Sequence, residues 1–218
     1  MSITFYYAPM STSSITEAVL AELELDYQGV ELDIDAGDTQ SQSFLKINPN
    51  ARVPVIIHDG VTIWESAAIT LYLGETFGVE KALFPALGPS RGEAMKWVVW
   101  SNLNLADAAG KLAAQLSPEA PGAVQKGSQD FVAVELRRPE ALVKAKADMH
   151  RCFAILNAAL AQRRFLLNQY SIVDTHLFVL VAWALFMEWD LSAFPHVDAW
   201  FARCIARPVL GAMMSDDQ

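Results

Sequence analysis

Cysteine is nearly missing from this 218-residue chain, which carries only Cys152 and Cys204. Two separated thiols make no CxxC dithiol and no zinc ribbon, and such sparse usage fits a reducing compartment. Basic residues are scarce as well: 16 Lys and Arg against 25 Asp and Glu leave a formal net charge of -9 at pH 7. Binding to nucleic-acid phosphates needs clustered cations, so nucleic acid is not expected as a partner. The four histidines, His58, His150, His176 and His196, stand singly without ligand spacing, and no metal is expected. Long apolar runs are lacking too. The longest, LFVLVAWALFM, lies between His176 and Glu188 and is well short of the roughly 20 residues that span a bilayer. It reads as a helix buried on most sides, with no membrane expected. The N-terminus lacks the basic and apolar regions of a signal peptide.

What remains is a chain with 53% hydrophobic and 19% charged residues, a composition that builds a real core in one large domain or two small ones. Its first third alternates strand and helix signals. ITFYYA (3–8) is short, aromatic and β-branched, and predicts a strand. ITEAVLAELEL (15–25) carries Ile15, Val19, Leu20 and Leu23 on one helical stripe. DYQGVELDI (26–34) predicts a second strand. VPVIIH and VTIWE, joined by Asp59-Gly60, predict a hairpin, because Asp-Gly favours a primed turn. SAAITLYLGETF predicts an amphipathic helix beginning at Ser66. The resulting order is β-α-β, a connector, then β-β-α.

Strand signals stop after Phe77. Residues 79–90 hold Pro85, Gly88 and Pro89 and read as a linker. Beyond it only helical patterns occur, over 91–116, 139–163, 172–189, 196–207 and a short piece near 208–215. Breakers leave 117–138 ambiguous, with a loop as one reading.

Four hydroxyls precede the first helix: Ser11, Thr12, Ser13 and Ser14. Ser14 with Glu17 has capping-box spacing and is expected to be a cap. The others are open to two readings, helix-start and turn chemistry or contact with a reactive group. Ser171 and Asp174 form a second S-x-x-D box, assigned a folding role.

NPNARVPVI with Val53-Pro54, WESAAI with Glu65-Ser66, and YSIVDTHLF with Ser171 and Asp174 occur in this order on this pattern of elements. Together they make the whole chain resemble the cytosolic glutathione transferase superfamily, with a helical half most similar to the bacterial beta class. The resemblance implies an α/β thioredoxin-like N-terminal domain (1–78), the linker (79–90) and an all-α C-terminal domain (91–218). It implies a cis peptide before Pro54, backbone of Val53 pairing with glutathione like an added strand, and Glu65 and Ser66 receiving the γ-glutamyl end at a helix N-terminus. It also implies that glutathione is the co-substrate, its thiolate held by a hydroxyl for attack on a small hydrophobic electrophile. Aligned through Pro9, Ser11 falls at the serine of serine-using classes, Thr12 at the beta-class cysteine, and Tyr7 at the tyrosine of mammalian-type classes. The order of expectation is Ser11, Thr12, Tyr7.

Threonine in place of that cysteine removes a mixed disulfide between protein and glutathione. The basic residues of beta-class relatives are replaced too, by Asp35 or Ala36 and by Ala106 and Asp107, which leaves Arg52 as the nearest compensating cation. The electrophile site implied by the resemblance lies between the domains, at Trp100, Leu103 and Asn104 with Met10 opposite; Trp97 shares their spacing and is assigned to the core. The family implies a cytoplasmic homodimer. Two alternatives stand beside a transferase: a disulfide reductase using glutathione without a protein cysteine, and a non-catalytic binding module on the same fold.

Overall fold

A computed structural model describes residues 2–116 and 139–215. The ambiguous segment 117–138 lies outside the described residues. Strand β1 (Ile3–Tyr7) leads through a hydroxyl-rich turn into α1 (Ser13–Glu22), then β2 (Gln28–Glu31), short α2 (Gln42–Leu45), the β3 (Val55–His58) and β4 (Val61–Trp64) hairpin, and α3 (Ser66–Leu73). The sheet order is β2-β1-β3-β4, with β1 parallel to β2 and antiparallel to β3. Asp59 and Gly60 take φ values of 47° and 83°, the two positive values of a primed turn, and they set Val55 opposite Trp64.

Alternation along the strands sorts the core. Phe5 and Ile56 face Ile15, Val19, Ile69 and Leu73, whereas Val53 and Val55 join Ala8 and Phe44 on the other face. The β-α-β-β-α order matches the sequence pattern. The second strand is shorter than 26–34, because the chain beyond it curls on itself: Asp33 Oδ1 accepts from the Ala36 N–H and Asp38 Oδ2 from the Asp33 N–H.

Helix α3 runs on into a wide five-residue turn, Gly74–Gly78. After the connector, α4 (Pro89–Trp100) starts with proline in its first turn. The sequence predicts one unbroken helix over 91–116. Instead α4 passes into a wide-turn segment, Ser101–Ala106, before regular geometry resumes in α5 (Asp107–Leu116). Helices α6 (Pro139–Leu160), α7 (Ile172–Phe186), α8 (Pro195–Ile205) and α9 (Pro208–Met213) follow. The apolar run of 177–187 lies in α7 up to its cap at Met187, and the helix is buried on most sides, with Trp183 and Leu185 half-buried and Phe186 exposed in its last turn. Helix α1 packs on α7, so one apolar core runs through the sheet half and the helical half. Among the described residues no helix is long and apolar enough to cross a membrane.

Candidate thiol-binding site

The turn between β1 and α1 assigns its hydroxyls different tasks. Ser11 Oγ donates to the Ala8 carbonyl at 2.7 Å, lies 2.8 Å from Ser13 Oγ, and accepts the Ser13 N–H at 3.1 Å. Buried Ser13 in turn accepts the Ala8 N–H. Ser14 is not the cap that its spacing suggests. It lies inside α1, and its hydroxyl donates back to the Ser11 carbonyl at 3.0 Å. Thr12 holds the capping position, yet its hydroxyl turns outward from the helix and reaches the Val53 carbonyl at 3.3 Å. Tyr7 points elsewhere: its hydroxyl donates to Glu31 on the neighbouring strand. Burial first, and then Glu31, raises that phenol's pKa above its ordinary value.

The Val53–Pro54 peptide is cis. Buried Asn48 shapes the approach to it, donating to the Arg52 carbonyl at 2.7 Å and accepting from both the backbone and side-chain nitrogens of Asn50. The Arg52 side chain is exposed. Thus Thr12, Val53 and Pro54 meet, with Arg52 alongside.

Glu65 is exposed and sits at φ 73°, a left-handed conformation that a non-glycine residue adopts at a cost. That bend places Ser66 at the start of α3, where unpaired N–H groups and the positive end of the helix favour an anion. Ser66 is buried, and its Oγ accepts from Asn102 Nδ2 at 2.9 Å. Behind Asn102 stands His176, whose Nε2 lies 2.7 Å from Asn102 Oδ1 and whose Nδ1 lies 2.8 Å from Thr70 Oγ1. Burial lowers the His176 pKa to about 3, so the ring is neutral. Sequence reasoning passed over Asn102 and His176. The available signals were a histidine within an apolar helix and an asparagine in the helix facing it.

Of the candidate electrophile residues, Leu103 is 70% exposed and Met10 91% exposed. Trp100 is half-buried edge-on against Trp97, with ring centroids 5.3 Å apart, and Trp97 is core. Asn104 turns along its own helix, donating to the Trp100 carbonyl. Cys152 and Cys204 are buried in α6 and α8, and burial pushes both thiols up. Among the described residues no group of three or more His, Cys, Asp or Glu could hold a metal.

A cis-proline loop beside a helix start, on a four-stranded mixed sheet joined to a helical half, is the arrangement of a thioredoxin-like glutathione-binding fold. The family model "Glutathione S-transferase, N-terminal domain" matches residues 1–75, and "Glutathione S-transferase, C-terminal domain" matches residues 120–208. The chain belongs to the glutathione transferase superfamily and has its fold.

Among curated proteins it is similar to the disulfide-bond oxidoreductase YfcG of Escherichia coli (strain K12), at 27% identity covering 96% of this chain and 93% of that protein. It is also similar to glutathione S-transferase GstB of the same organism, at 27% identity over 88% of this chain and 86% of the relative. Its fold matches the glutathione transferase URE2P6 from Phanerochaete chrysosporium, solved with oxidized glutathione, with a TM-score of 0.82 at 21% identity covering 96% and 93% of the two chains.

Proposed function

We propose that the protein is a glutathione transferase-like enzyme that holds the glutathione thiolate for attack on a hydrophobic electrophile. The observation that carries this reading is the Thr12 hydroxyl, 3.3 Å from the Val53 carbonyl beside the cis-proline turn and the start of α1. A free thiol with a pKa of about 8.5 is only a few per cent ionised at neutrality. A hydroxyl proton and a helix N-terminus aimed at sulfur favour the charged form. The long bond to Val53 is weak, and the Thr12 proton can turn to sulfur at small cost. Ser11 ranks second, since its proton already serves the Ala8 carbonyl. Tyr7 ranks third.

In the same reading, Val53 pairs with the cysteinyl backbone, Pro54 shapes that turn, and Arg52 contributes a cation. Ser66 takes the γ-glutamyl carboxylate and Glu65 the adjoining ammonium. Met10, Trp100, Leu103 and Asn104 line the electrophile side. The protein acts as a homodimer in the cytoplasm, a reducing compartment suited to its free thiols.

Titration of the thiol in the bound complex tests this assignment. Thr12→Val is expected to raise the pKa of bound glutathione by about one unit and to lower kcat/KM with an aryl halide about tenfold, as loss of one hydrogen bond to a charged group requires. Ser11→Ala is expected to leave both near wild type. The reverse pattern would move the role to Ser11.

A second reading is favoured by the near full-length similarity to YfcG and by the burial of both cysteines. Here the glutathione thiolate attacks a disulfide, releasing one thiolate and forming a mixed disulfide. A second glutathione thiolate then attacks that mixed disulfide, giving oxidised glutathione and the other thiolate. Turnover of a small disulfide without turnover of the aryl halide selects this reaction.

A further inference from the structure

Ser66, Asn102, His176 and Thr70 form one chain of side-chain hydrogen bonds that leaves α3, crosses into the helical half and returns to α3. Tracing its protons gives the chain a direction. Thr70 is fully buried, and among the described residues its hydroxyl makes one hydrogen bond, to His176 Nδ1. If the hydroxyl accepted there, its own proton would be buried without a partner, which is costly. Thr70 therefore donates and Nδ1 accepts. The ring is neutral, so its single N–H is on Nε2 and donates to Asn102 Oδ1. That leaves Asn102 Nδ2 to donate to Ser66 Oγ. The Ser66 oxygen is held from behind as an acceptor, and its proton is left for the ligand side.

We infer that His176 is a positioning residue that acts through Asn102 to aim the Ser66 hydroxyl proton at the α-carboxylate of the γ-glutamyl end, making the site selective for thiols that carry a carboxylate there. The inference rests on the glutathione reading above and names what that reading leaves open, the origin of selectivity at this end. With the chain reversed, Ser66 would donate to Asn102 and turn lone pairs toward the carboxylate, which would repel it. A buried ring that can carry only one N–H, with its other nitrogen occupied by Thr70, prevents that reversal. The wide-turn segment Ser101–Ala106 contributes by carrying Asn102 between His176 and Ser66; such insertions into helices occur often at functional sites.

The test compares two ligands on the full chain by calorimetry and kinetics. One is glutathione; the other is 4-aminobutanoyl-cysteinylglycine, which lacks only the α-carboxylate. Wild type is expected to prefer glutathione by tenfold or more. Asn102→Leu and His176→Phe are each expected to weaken glutathione about tenfold, the loss of one charge-assisted hydrogen bond, with the change falling on KM. Binding of the analogue is expected to stay at its wild-type value. His176→Gln, whose amide N–H can replace Nε2–H, is expected to recover most of the loss. Should His176→Phe fail to fold, Asn102→Leu carries the same comparison from a half-buried position. Equal weakening of both ligands, or no change for glutathione, overturns the inference while leaving glutathione binding in place. Wild type that binds no glutathione removes the proposed function and this inference together.

Discussion

Asp174 shows how much one buried carboxylate can organise. It is fully buried, and it accepts from the Leu166 N–H, the Ser171 N–H and hydroxyl, and Trp200 Nε1, all between 2.9 and 3.1 Å. Desolvation outweighs those four donors and raises its pKa to about 6. The native state therefore keeps a proton that the unfolded chain has already lost at a carboxylate's ordinary pKa near 4. This contribution to stability is complete below about pH 4 and is lost as pH rises through about 6, with a size of about 3 kcal/mol. The stability of wild type relative to Asp174→Asn, followed by urea unfolding, is expected to fall across that window. Ser171→Ala removes one donor and is expected to cost about 1 kcal/mol with activity per folded molecule unchanged. The folding role of this pair was legible because S-x-x-D directly precedes an apolar helix. The division of labour between Ser11 and Thr12 was not. Both precede α1 in an irregular turn, and only the fold, which brings Val53 to Thr12 across 41 residues, gives each hydroxyl its partner.

Among the elements, the hairpin and the helix starts at Pro89, Pro195 and Pro208 follow from local chemistry that acts within a few residues. Wide turns have no such signature. Nothing in SNLNLA interrupts a helical pattern, and an inserted residue per turn changes facing without changing composition. Within that segment Asn104 donates back to the Trp100 carbonyl, while Asn102 bridges to Ser66. The other wide turn, Gly74–Gly78, begins at a close packing contact. A Cβ on Gly74 would sit 2.7 Å from Phe84 Cδ2 and 2.9 Å from Ile172 Cδ1, so the absence of a side chain is what lets α3 approach the connector and the start of α7. Phe84 is buried and has little room to withdraw. Gly74→Ala is expected to destabilise by about 1–3 kcal/mol through overpacking, read as a lower unfolding midpoint with an unchanged m-value.

At the scale of the whole molecule, the two halves share one apolar core, and a charged pair joins the end of α1 to the start of α9. Arg207, just after α8, donates from Nε to both Glu22 oxygens at 3.0 and 3.1 Å and from a terminal nitrogen at 2.6 Å, while its guanidinium lies 3.7 Å over the Tyr170 ring. Residues 185 apart in the chain cannot announce such a pair in sequence. The Glu22 side chain is only 2% exposed, so removing its partner strands a carboxylate in the interior. Arg207→Met is expected to cost about 3 kcal/mol. Adding Glu22→Leu removes the stranded charge and is expected to return stability to within about 1 kcal/mol of wild type. The m-value distinguishes two ways in which the single variant could weaken. Because the core between α1 and α7 is continuous, the variant is expected to unfold in one transition with the wild-type slope. A reduced slope, or two transitions by different probes, would mean that the ion pair rather than the shared core couples the sheet to the helices.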